Sequence, residues 1–222
     1  MSSGSETSPF LHVRNVFLDR DGVINEKLPE GQYVSRWSDF RLLPGVEEAL
    51  SRLTRSGYRI IIITNQRGVA LGLYNEDDIC ELHAKLLEFL AGLNIRIDAI
   101  YYCPHDKNAC DCRKPEPGMF LKAFNDFPGA SVENSVMIGD SKSDIEAGMR
   151  LGLPTIFIKG DSMRQKPGAN QASAMADAVA LAAHIDLAQV ADLDQWAHGP
   201  LLLWLRRIPH SGVPPQVRFI TR

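Results

Sequence analysis

Four consecutive isoleucines, Ile60–Ile63, restrict the fold of this chain more than any other segment. A strand with one face in water alternates apolar and polar residues, whereas a strand of a parallel sheet is buried on both faces and carries an unbroken apolar run. Shorter apolar runs occur at 13–18, 99–103, 136–139 and 155–158, and segments of helical pattern separate them. This alternation predicts an α/β fold, a Rossmann-like doubly wound parallel sheet with helices on both faces.

The helices follow from apolar spacing and from residues typical of helix ends. Pro44 favours the first helical position, and apolar residues recur at helical spacing after it. Asn75 is of a type that caps helices and predicts a second helix that extends to about Leu93. Two shorter helices are expected at 119–127 and 144–151.

The length of 222 residues suits one domain with insertions. We expect a disordered leader at 1–11, an α/β domain at 12–160 and a partly helical extension at 161–222. A net charge of -3 gives no basic surface for nucleic acid. No apolar stretch approaches the roughly 20 residues of a membrane span, and the N-terminus lacks the pattern of a signal peptide. A cytoplasmic monomer that binds neither nucleic acid nor membrane is therefore expected.

Three of the predicted strands end in polar residues that suit phosphoryl transfer. Asp19 and Asp21 follow the first strand, Thr64 ends the second and Asp140 follows the fourth. The carboxyl ends of parallel strands meet at one edge of the sheet, where such folds bind ligands. Asp19 can attack phosphorus, while Asp21 can protonate the departing alkoxide and later deprotonate water. Thr64 and Lys114 can hold the phosphoryl oxygens.

A phosphate dianion beside these carboxylates would be repelled unless a cation offset the charge. Candidate ligands are the oxygen atoms of Asp19, Asp21, Asp140 and Asp144, and oxygen-only ligation favours Mg²⁺. The sequence therefore predicts a magnesium-dependent phosphoryl-transfer site.

These segments resemble the four motifs of the haloacid dehalogenase-like phosphatases, in the order of that family. They are Asp19–Gly22, the strand ending in Thr64-Asn65, the isolated Lys114 and the GDxxxD sequence of Gly139–Asp144. The resemblance spans residues 16–158 and implies an aspartyl-phosphate intermediate. It also implies an essentially capless enzyme, because only about twenty residues, 23–43, follow the first strand before the first helix.

Each motif residue also has a simpler interpretation. Asp19 and Asp21 could form a solvated turn, and Thr64 could merely end a strand. Lys114 could be a surface lysine, and Asp144 could cap the helix that follows it. The occurrence of all the motifs in one order favours the site.

A cysteine-rich loop, residues 103–112, lies just before Lys114 and contains a second set of candidate metal ligands. Cys103, His105, Cys110 and Cys112 form two pairs with ligands two positions apart. Three thiolates and one imidazole suit tetrahedral zinc with no open position, which makes the predicted Zn²⁺ structural. Free thiols or a Cys110–Cys112 disulfide are the alternative.

The resemblance is greatest to members of the family that act on a sugar bisphosphate. By this resemblance, the substrate-binding residues are Lys27, Tyr33, Asn65, Gln66, Arg67 and Arg113. An arginine fork suits a phosphate that does not react. The family commonly has a lysine directly after the metal-binding aspartate, and this chain has Ser141 there, followed by Lys142.

Three other functions compete with this interpretation. A histidinol-phosphate phosphatase shares the aspartates and the zinc loop, but its cationic substrate calls for an acceptor rather than Arg67 and Arg113. A 3′-phosphatase acting on nucleic-acid ends is disfavoured by the acidic balance of the chain. A zinc-stabilised binding module would have no need for the full set of catalytic residues.

Overall fold

The computed structural model of the protein describes residues 12–158 and 217–220. Six parallel strands form one sheet in the order β3-β2-β1-β4-β5-β6. The strands are β1 Asn15–Leu18, β2 Arg59–Asn65, β3 Ala99–Cys103, β4 Ser135–Gly139, β5 Thr155–Ile158 and β6 Val217–Ile220. This is the strand order of a doubly wound nucleotide-binding fold, and it confirms the predicted fold class.

The four α-helices are α1 Val46–Arg55, α2 Glu76–Gly92, α3 Gly118–Asp126 and α4 Lys142–Leu151. Short 3-10 helices lie at Trp37–Asp39 and Val132–Asn134. Among the described residues, the connections after β1 and β3 contain no further domain, as the expected capless architecture requires.

The isoleucine run of β2 is buried on both faces, because each face of the sheet packs against a separate pair of helices. Ile60 and Ile62 belong to an apolar cluster with residues of α1 and α2. Ile61 and Ile63 belong to a second cluster that contains residues of α3 and α4. Each fully buried side chain of this size contributes about 1.5–3 kcal/mol relative to exposure. Apolar and polar residues do not alternate in this segment because the sheet lies between two layers of helices.

Two predicted helix starts differ from the structure. Pro44 precedes α1 instead of occupying its first position, because Gly45, with a φ of 82°, is the N-cap. The last helix begins at Lys142 rather than Asp144, since Ser141 is its N-cap. The predicted cap at Asn75 is confirmed, and its side chain accepts a hydrogen bond from the backbone of Asp78.

Some predictions concern other parts of the chain. The disordered leader at 1–11 and the extension from 161 to 216 lie outside the described residues. Within the extension, Val217–Ile220 pairs with β5 as an edge strand that was not predicted. Cys80, in α2, is exposed, with its Sγ 3.5 Å from the hydroxyl of Tyr102. Among the described residues, no helix is both long and apolar enough to span a membrane.

Candidate active site

Lys114 lies at the centre of a cluster of charged groups at the C-terminal edge of the sheet. Its side chain is buried, with Nζ 2.9 Å from Asp19 Oδ1 and 2.6 Å from Asp144 Oδ1. The same ammonium group donates a hydrogen bond of 2.8 Å to the carbonyl oxygen of Ile63. The lysine therefore connects the end of β1, the end of β2 and the first turn of α4.

The carboxylate of Asp19 is buried beside other acidic groups. Burial raises its pKa to about 8, with repulsion from Asp144 adding to the rise and the Lys114 ammonium opposing it. Burial alone would lower the pKa of Lys114, but attraction to Asp144 and Asp19 outweighs it and holds that pKa above its usual value. Because one ammonium faces two carboxylates, a further positive charge is needed for Asp19 to be ionised at neutral pH.

The third acidic group of this cluster is Asp140, at the end of β4. One oxygen atom from each of Asp19, Asp140 and Asp144 lies within 4.8 Å of the others. The Oδ1 atom of Asp140 is buried without a hydrogen-bond partner, and its Oδ2 accepts from Lys27 Nζ at 2.8 Å. Three carboxylate groups at this spacing, one of them with an oxygen atom that has no partner, fit a Mg²⁺ ion. Asp21, predicted as a further ligand, is not a member of this cluster.

The carboxylate of Asp21 is held by three donors of the protein instead. Arg20 Nη2 lies 3.1 and 3.0 Å from its two oxygens, Asn25 Nδ2 donates to Oδ1 at 2.9 Å and Gln66 Nε2 donates to Oδ2 at 3.0 Å. Burial alone would raise the pKa of Asp21, but the Arg20 charge and these hydrogen bonds hold it below its usual value. The ionised form is the one that can accept a proton from water.

Arg20 was not predicted as part of the site. Its side chain is fully buried and donates to the carbonyl oxygen of Val34 at 3.0 Å, and its Nη1 lies 3.1 Å from Nε2 of His83. Burial and the charge of Arg20 lower the pKa of His83 to about 3, so that the neutral ring accepts from the guanidinium. An arginine between two aspartates gives no local signal of burial, because its partners come from a distant loop and from α2.

The side chains after the end of β2 are largely engaged within the protein. Thr64 Oγ1 accepts from Gln66 Nε2 at 2.8 Å, and Gln66 Oε1 accepts from the hydroxyl of Tyr74 at 2.7 Å. Asn65 exchanges two hydrogen bonds of 3.0 Å with the backbone of Lys114. Asn65 and Gln66, both predicted to bind substrate, therefore support the residues that surround the phosphoryl position.

The other predicted substrate-binding residues lie in two places. Arg67 forms an ion pair of 2.5 Å with Asp106, and Tyr33 lies beside the same guanidinium. The hydrogen bond from Arg67 lowers the pKa of Asp106, and the charge of Arg113 contributes to this shift. Lys27 lies apart from this group, next to Asp140. Asp106, which sequence reasoning did not identify, thus pairs with Arg67 and lies within the electrostatic influence of Arg113.

Asp144 combines the two roles that the sequence offered as alternatives. Its Oδ2 accepts from the hydroxyl of Ser141 at 2.6 Å and from the backbone N–H of the same residue at 3.0 Å, which completes the cap of α4. Its Oδ1 faces Lys114. Ser141 therefore serves as a helix cap where the family commonly has a lysine, and the exposed Lys142 pairs with Glu146 instead.

The four predicted zinc ligands meet in the loop after β3. The Sγ of Cys103 lies 3.5 Å from that of Cys110, which in turn lies 3.2 Å from that of Cys112. Nδ1 of His105 is 3.6 Å from Cys103 Sγ and 3.3 Å from Cys112 Sγ. These sulfur separations exceed the roughly 2.05 Å of a disulfide bond, and all four cysteines of the chain are free. Four donors around one point fit a tetrahedral Zn²⁺ ion.

The carboxylates and the buried lysine at the edge of a Rossmann-like sheet fit the chemistry of one enzyme class. A family model described as HAD-hydrolase-like matches residues 111–184, which include Lys114, Asp140 and Asp144. The protein is thus a phosphatase of the haloacid dehalogenase-like class.

Curated relatives identify the family within this class. A D-glycero-β-D-manno-heptose-1,7-bisphosphate 7-phosphatase of Vibrio cholerae is 40% identical over 172 residues, which cover 74% of this chain and 89% of that protein. A D-glycero-α-D-manno-heptose-1,7-bisphosphate 7-phosphatase of Campylobacter jejuni is 38% identical and covers 70% and 91% of the two chains. The chain belongs to the D-glycero-D-manno-heptose-1,7-bisphosphate 7-phosphatase family.

A solved structure agrees with this assignment. A D,D-heptose 1,7-bisphosphate phosphatase from B. bronchiseptica, complexed with magnesium and phosphate, is 32% identical with a TM-score of 0.59. The match covers 65% of this chain and 80% of that chain.

Proposed function

We propose that this enzyme hydrolyses the 7-phosphate of D-glycero-D-manno-heptose 1,7-bisphosphate and leaves the heptose 1-phosphate. The observation that carries the proposal is the position of Asp19, whose buried carboxylate is oriented by Lys114 and lies two residues before a second carboxylate. The names of the relatives supply the substrate. The product would enter the synthesis of nucleotide-activated heptose, a precursor of lipopolysaccharide or capsule, in the cytoplasm.

The chemistry proceeds in two steps. A carboxylate oxygen of Asp19 attacks phosphorus and the bond between phosphorus and the sugar C7 oxygen breaks. Asp21, which is ionised in the free site, must first take up a proton as the substrate binds, and it gives this proton to the departing alkoxide. Asp21 then takes a proton from water as the water oxygen attacks the aspartyl-phosphate. Inorganic phosphate leaves, and the Asp19 carboxylate is restored.

The metals have separate roles in the proposal. Asp19, Asp140 and Asp144 would hold Mg²⁺, which offsets the repulsion between the carboxylates and the phosphoryl group. Thr64 and Lys114 hold phosphoryl oxygens as charge is redistributed. Cys103, His105, Cys110 and Cys112 would hold Zn²⁺ with four protein ligands, and this ion would be structural because these ligands lie outside the acidic cluster.

The remote phosphate of the sugar is assigned to the arginines near the cysteine-rich loop. Arg67 forms an ion pair with Asp106, the charge of Arg113 acts on the same carboxylate, and Tyr33 lies beside Arg67. A phosphate at this position would replace the carboxylate of Asp106 as the partner of a guanidinium fork. Lys27, half exposed next to Asp140, would contact the transferring phosphoryl group or its leaving oxygen.

The first test is Asp19→Asn, which retains the shape of the side chain and removes the nucleophile. We expect magnesium-dependent phosphate release to fall by more than about 10³-fold, since the covalent route is lost. The exposed Asp77, in the first turn of α2, supplies the matched control Asp77→Asn, which should keep full activity. Substantial turnover by Asp19→Asn would contradict the covalent mechanism.

The second test concerns the substrate. Relatives named for the α anomer and for the β anomer match this chain at similar identity, 38% and 40%. Turnover should therefore be compared on both anomers of the heptose bisphosphate and on histidinol phosphate. The proposal expects the highest kcat/KM on one of the heptose anomers, and a preference for histidinol phosphate would overturn it.

A further inference from the structure

One glutamine amide connects two side chains that have different tasks in the proposed reaction. Gln66 Nε2 lies 3.0 Å from Oδ2 of Asp21 and 2.8 Å from Oγ1 of Thr64. The Gln66 side chain is almost fully buried, at 1% exposure of the residue. Since an amide nitrogen carries two hydrogens, it can donate one to each partner. The general acid–base and the phosphoryl-binding hydroxyl are therefore tied to the same group.

The contacts around Gln66 determine the direction of these hydrogen bonds. The ionised carboxylate of Asp21 only accepts, so the amide nitrogen must face it and the amide oxygen must face Tyr74. The Tyr74 hydroxyl donates to Gln66 Oε1 at 2.7 Å. The direction of each hydrogen bond from Tyr74 through Gln66 to Asp21 is thus defined.

This polarity determines what the Thr64 hydroxyl can do. Its oxygen already accepts from Gln66, and it carries one hydrogen of its own. That hydrogen is directed away from Gln66 and remains for a phosphoryl oxygen. With the amide in the opposite orientation, its oxygen would face the Asp21 carboxylate. The same oxygen would accept the Thr64 hydroxyl hydrogen, which would then be lost to a phosphoryl oxygen.

The packing around Tyr74 keeps this arrangement in place. A Cβ atom at Gly68 would lie 2.1 Å from the Tyr74 ring, so the absence of a side chain there permits the ring to lie against the backbone. The Tyr33 ring packs edge-on against the other side, with centroids 6.1 Å apart. The backbone N–H of Gln66 donates to the carbonyl of Cys103 at 2.8 Å, which anchors the glutamine to the end of β3.

We propose that Gln66, held by Tyr74, is a positioning residue that fixes the Asp21 carboxylate and the Thr64 hydroxyl relative to each other for phosphoryl transfer. The inference rests on the proposed roles of Asp21 and Thr64. Both steps of the proposed reaction use Asp21, so the expected defect is in kcat and not in KM. A displacement of about 1 Å at a reacting group can slow turnover by as much as about 100-fold.

The test is a double-mutant cycle of Gln66→Met and Tyr74→Phe, assayed for phosphate release from the heptose bisphosphate. We expect Gln66→Met to lower kcat by about 10- to 100-fold with KM changed less than about twofold. Tyr74→Phe should lower kcat less, and it should have no further effect in the Gln66→Met background, because it acts through the glutamine. Additive effects in the cycle, or a rise in KM with kcat preserved, would overturn the proposal.

A second measurement separates positioning from general damage. 4-Nitrophenyl phosphate has a leaving group that needs no proton. The factor by which Gln66→Met slows phosphorylation of the enzyme should therefore be at least about tenfold smaller with this compound than with the sugar substrate. Equal slowing on both would also overturn the inference. The hydroxyl of Tyr101 bonds Asp126 far from the site, and Tyr101→Phe is the matched control, expected to keep the kcat of the parent.

Folding and function can be distinguished in the same series. If Gln66→Met unfolds at the assay temperature, Tyr74→Phe alone decides the matter through its kcat and its leaving-group dependence. If Asp19→Asn is inactive while Gln66→Met and Tyr74→Phe behave as the parent, the positioning role fails and the proposed function stands. An active Asp19→Asn would instead contradict the proposed covalent mechanism, on which the roles of Asp21 and Thr64 depend.

Discussion

At the scale of single residues, the site depends on charges that are satisfied in unequal ways. Lys114 serves two buried carboxylates, whereas Asp21 has three donors of its own. A buried carboxylate without a partner costs several kcal/mol, so the cluster around Asp19 is the one that calls for a metal ion. The different surroundings of Asp19 and Asp21 agree with their proposed roles as nucleophile and acid–base group, although only one residue lies between them.

Gly22 provides a test of the acidic cluster, because its backbone touches Asp140. Its φ is 93°, and a Cβ atom would lie 2.3 Å from Oδ2 of Asp140. Gly22→Ala should displace this carboxylate and raise the Mg²⁺ concentration for half-maximal activity by about 10- to 100-fold. Gly31 has a similar φ of 85° with open space around it. Gly31→Ala is thus the matched control, with about 1 kcal/mol of backbone strain but unchanged Mg²⁺ dependence. Equal Mg²⁺ dependence in the two variants would contradict this arrangement.

His83 predicts a pH dependence of stability. Its pKa falls from 6.5 to about 3 on folding, first through burial and then through the Arg20 charge. The unfolded chain therefore binds more protons below pH 6.5, and the contribution of His83 is complete above that pH and declines as the pH falls toward 3. Between pH 6.5 and 5 the loss is about 2 kcal/mol.

The variant His83→Gln keeps an acceptor for Arg20 and removes the titration. Urea unfolding at pH 7.5 and pH 5 should show a smaller loss for this variant than for the parent by about 2 kcal/mol. His12 is exposed at the start of the described chain. The control His12→Gln should lose as much unfolding free energy between pH 7.5 and pH 5 as the parent. If His83→Gln lost as much unfolding free energy between these two pH values as the parent, the ring would titrate near its usual pKa in the folded protein.

At the scale of elements, the loop after β3 connects the proposed zinc ligands to Lys114, the proposed catalytic lysine. Cys112 precedes Lys114 by two positions, and Asn65 at the end of β2 holds the backbone of Lys114 with two hydrogen bonds. Ordering a loop costs about 1–2 kcal/mol per residue, and a bound metal offsets part of this cost. The metal is thus expected to determine where the ammonium lies.

Removal of zinc should therefore lower activity without removing the nucleophile. We expect turnover to fall by about tenfold or more after chelation, when assayed in saturating Mg²⁺ with the chelator removed, and to return when Zn²⁺ is added back. Cys110→Ser should reproduce the defect, and Cys80→Ser, at an exposed thiol outside the cluster, should not. Unchanged turnover after zinc loss verified by metal analysis would contradict the link between the loop and Lys114.

The elements were largely predictable because their signals are local. The apolar runs marked five strands, and Asn75 marked the start of α2, since strand burial and helix caps depend on neighbouring residues. The acidic tips of β1 and β4 were predictable from the parallel topology. The roles of Arg20, Gln66 and Tyr74 were not, because each depends on hydrogen bonds between segments that only the folded chain brings together.

At the scale of the whole molecule, the proposed catalytic groups lie at the carboxyl ends of the strands. The proposed nucleophile follows β1, which lies in the interior of the strand order. The last strand in this order is β6, which is four residues long and pairs with β5 alone among the described strands. β6 is therefore separated from the proposed site, because it is the last strand in the order and lies two strands from β4 and its Asp140.

Deletion of residues 217–222 tests this separation. We expect the free energy of unfolding to fall by about 2 kcal/mol, from the loss of a few backbone hydrogen bonds, with kcat kept within about twofold. Deletion of 221–222 alone leaves β6 intact and is the control, with stability near that of the full chain. Loss of kcat in the longer deletion without a loss of stability would show that the C-terminal segment takes part in the reaction.

The interior position of β1 also has a consequence for biosynthesis. Asn15–Leu18 pairs on one side with β2 and on the other with β4, which begins only at Ser135. While the ribosome is still translating the middle of the message, the emerging chain has one open flank on its first strand and no means of assembling Asp140 beside Asp19. Pairing between strands so far apart in sequence forms late and slowly. A nascent chain that ends before β4 is therefore inactive and exposes unpaired backbone groups of β1, to which we expect chaperones to bind.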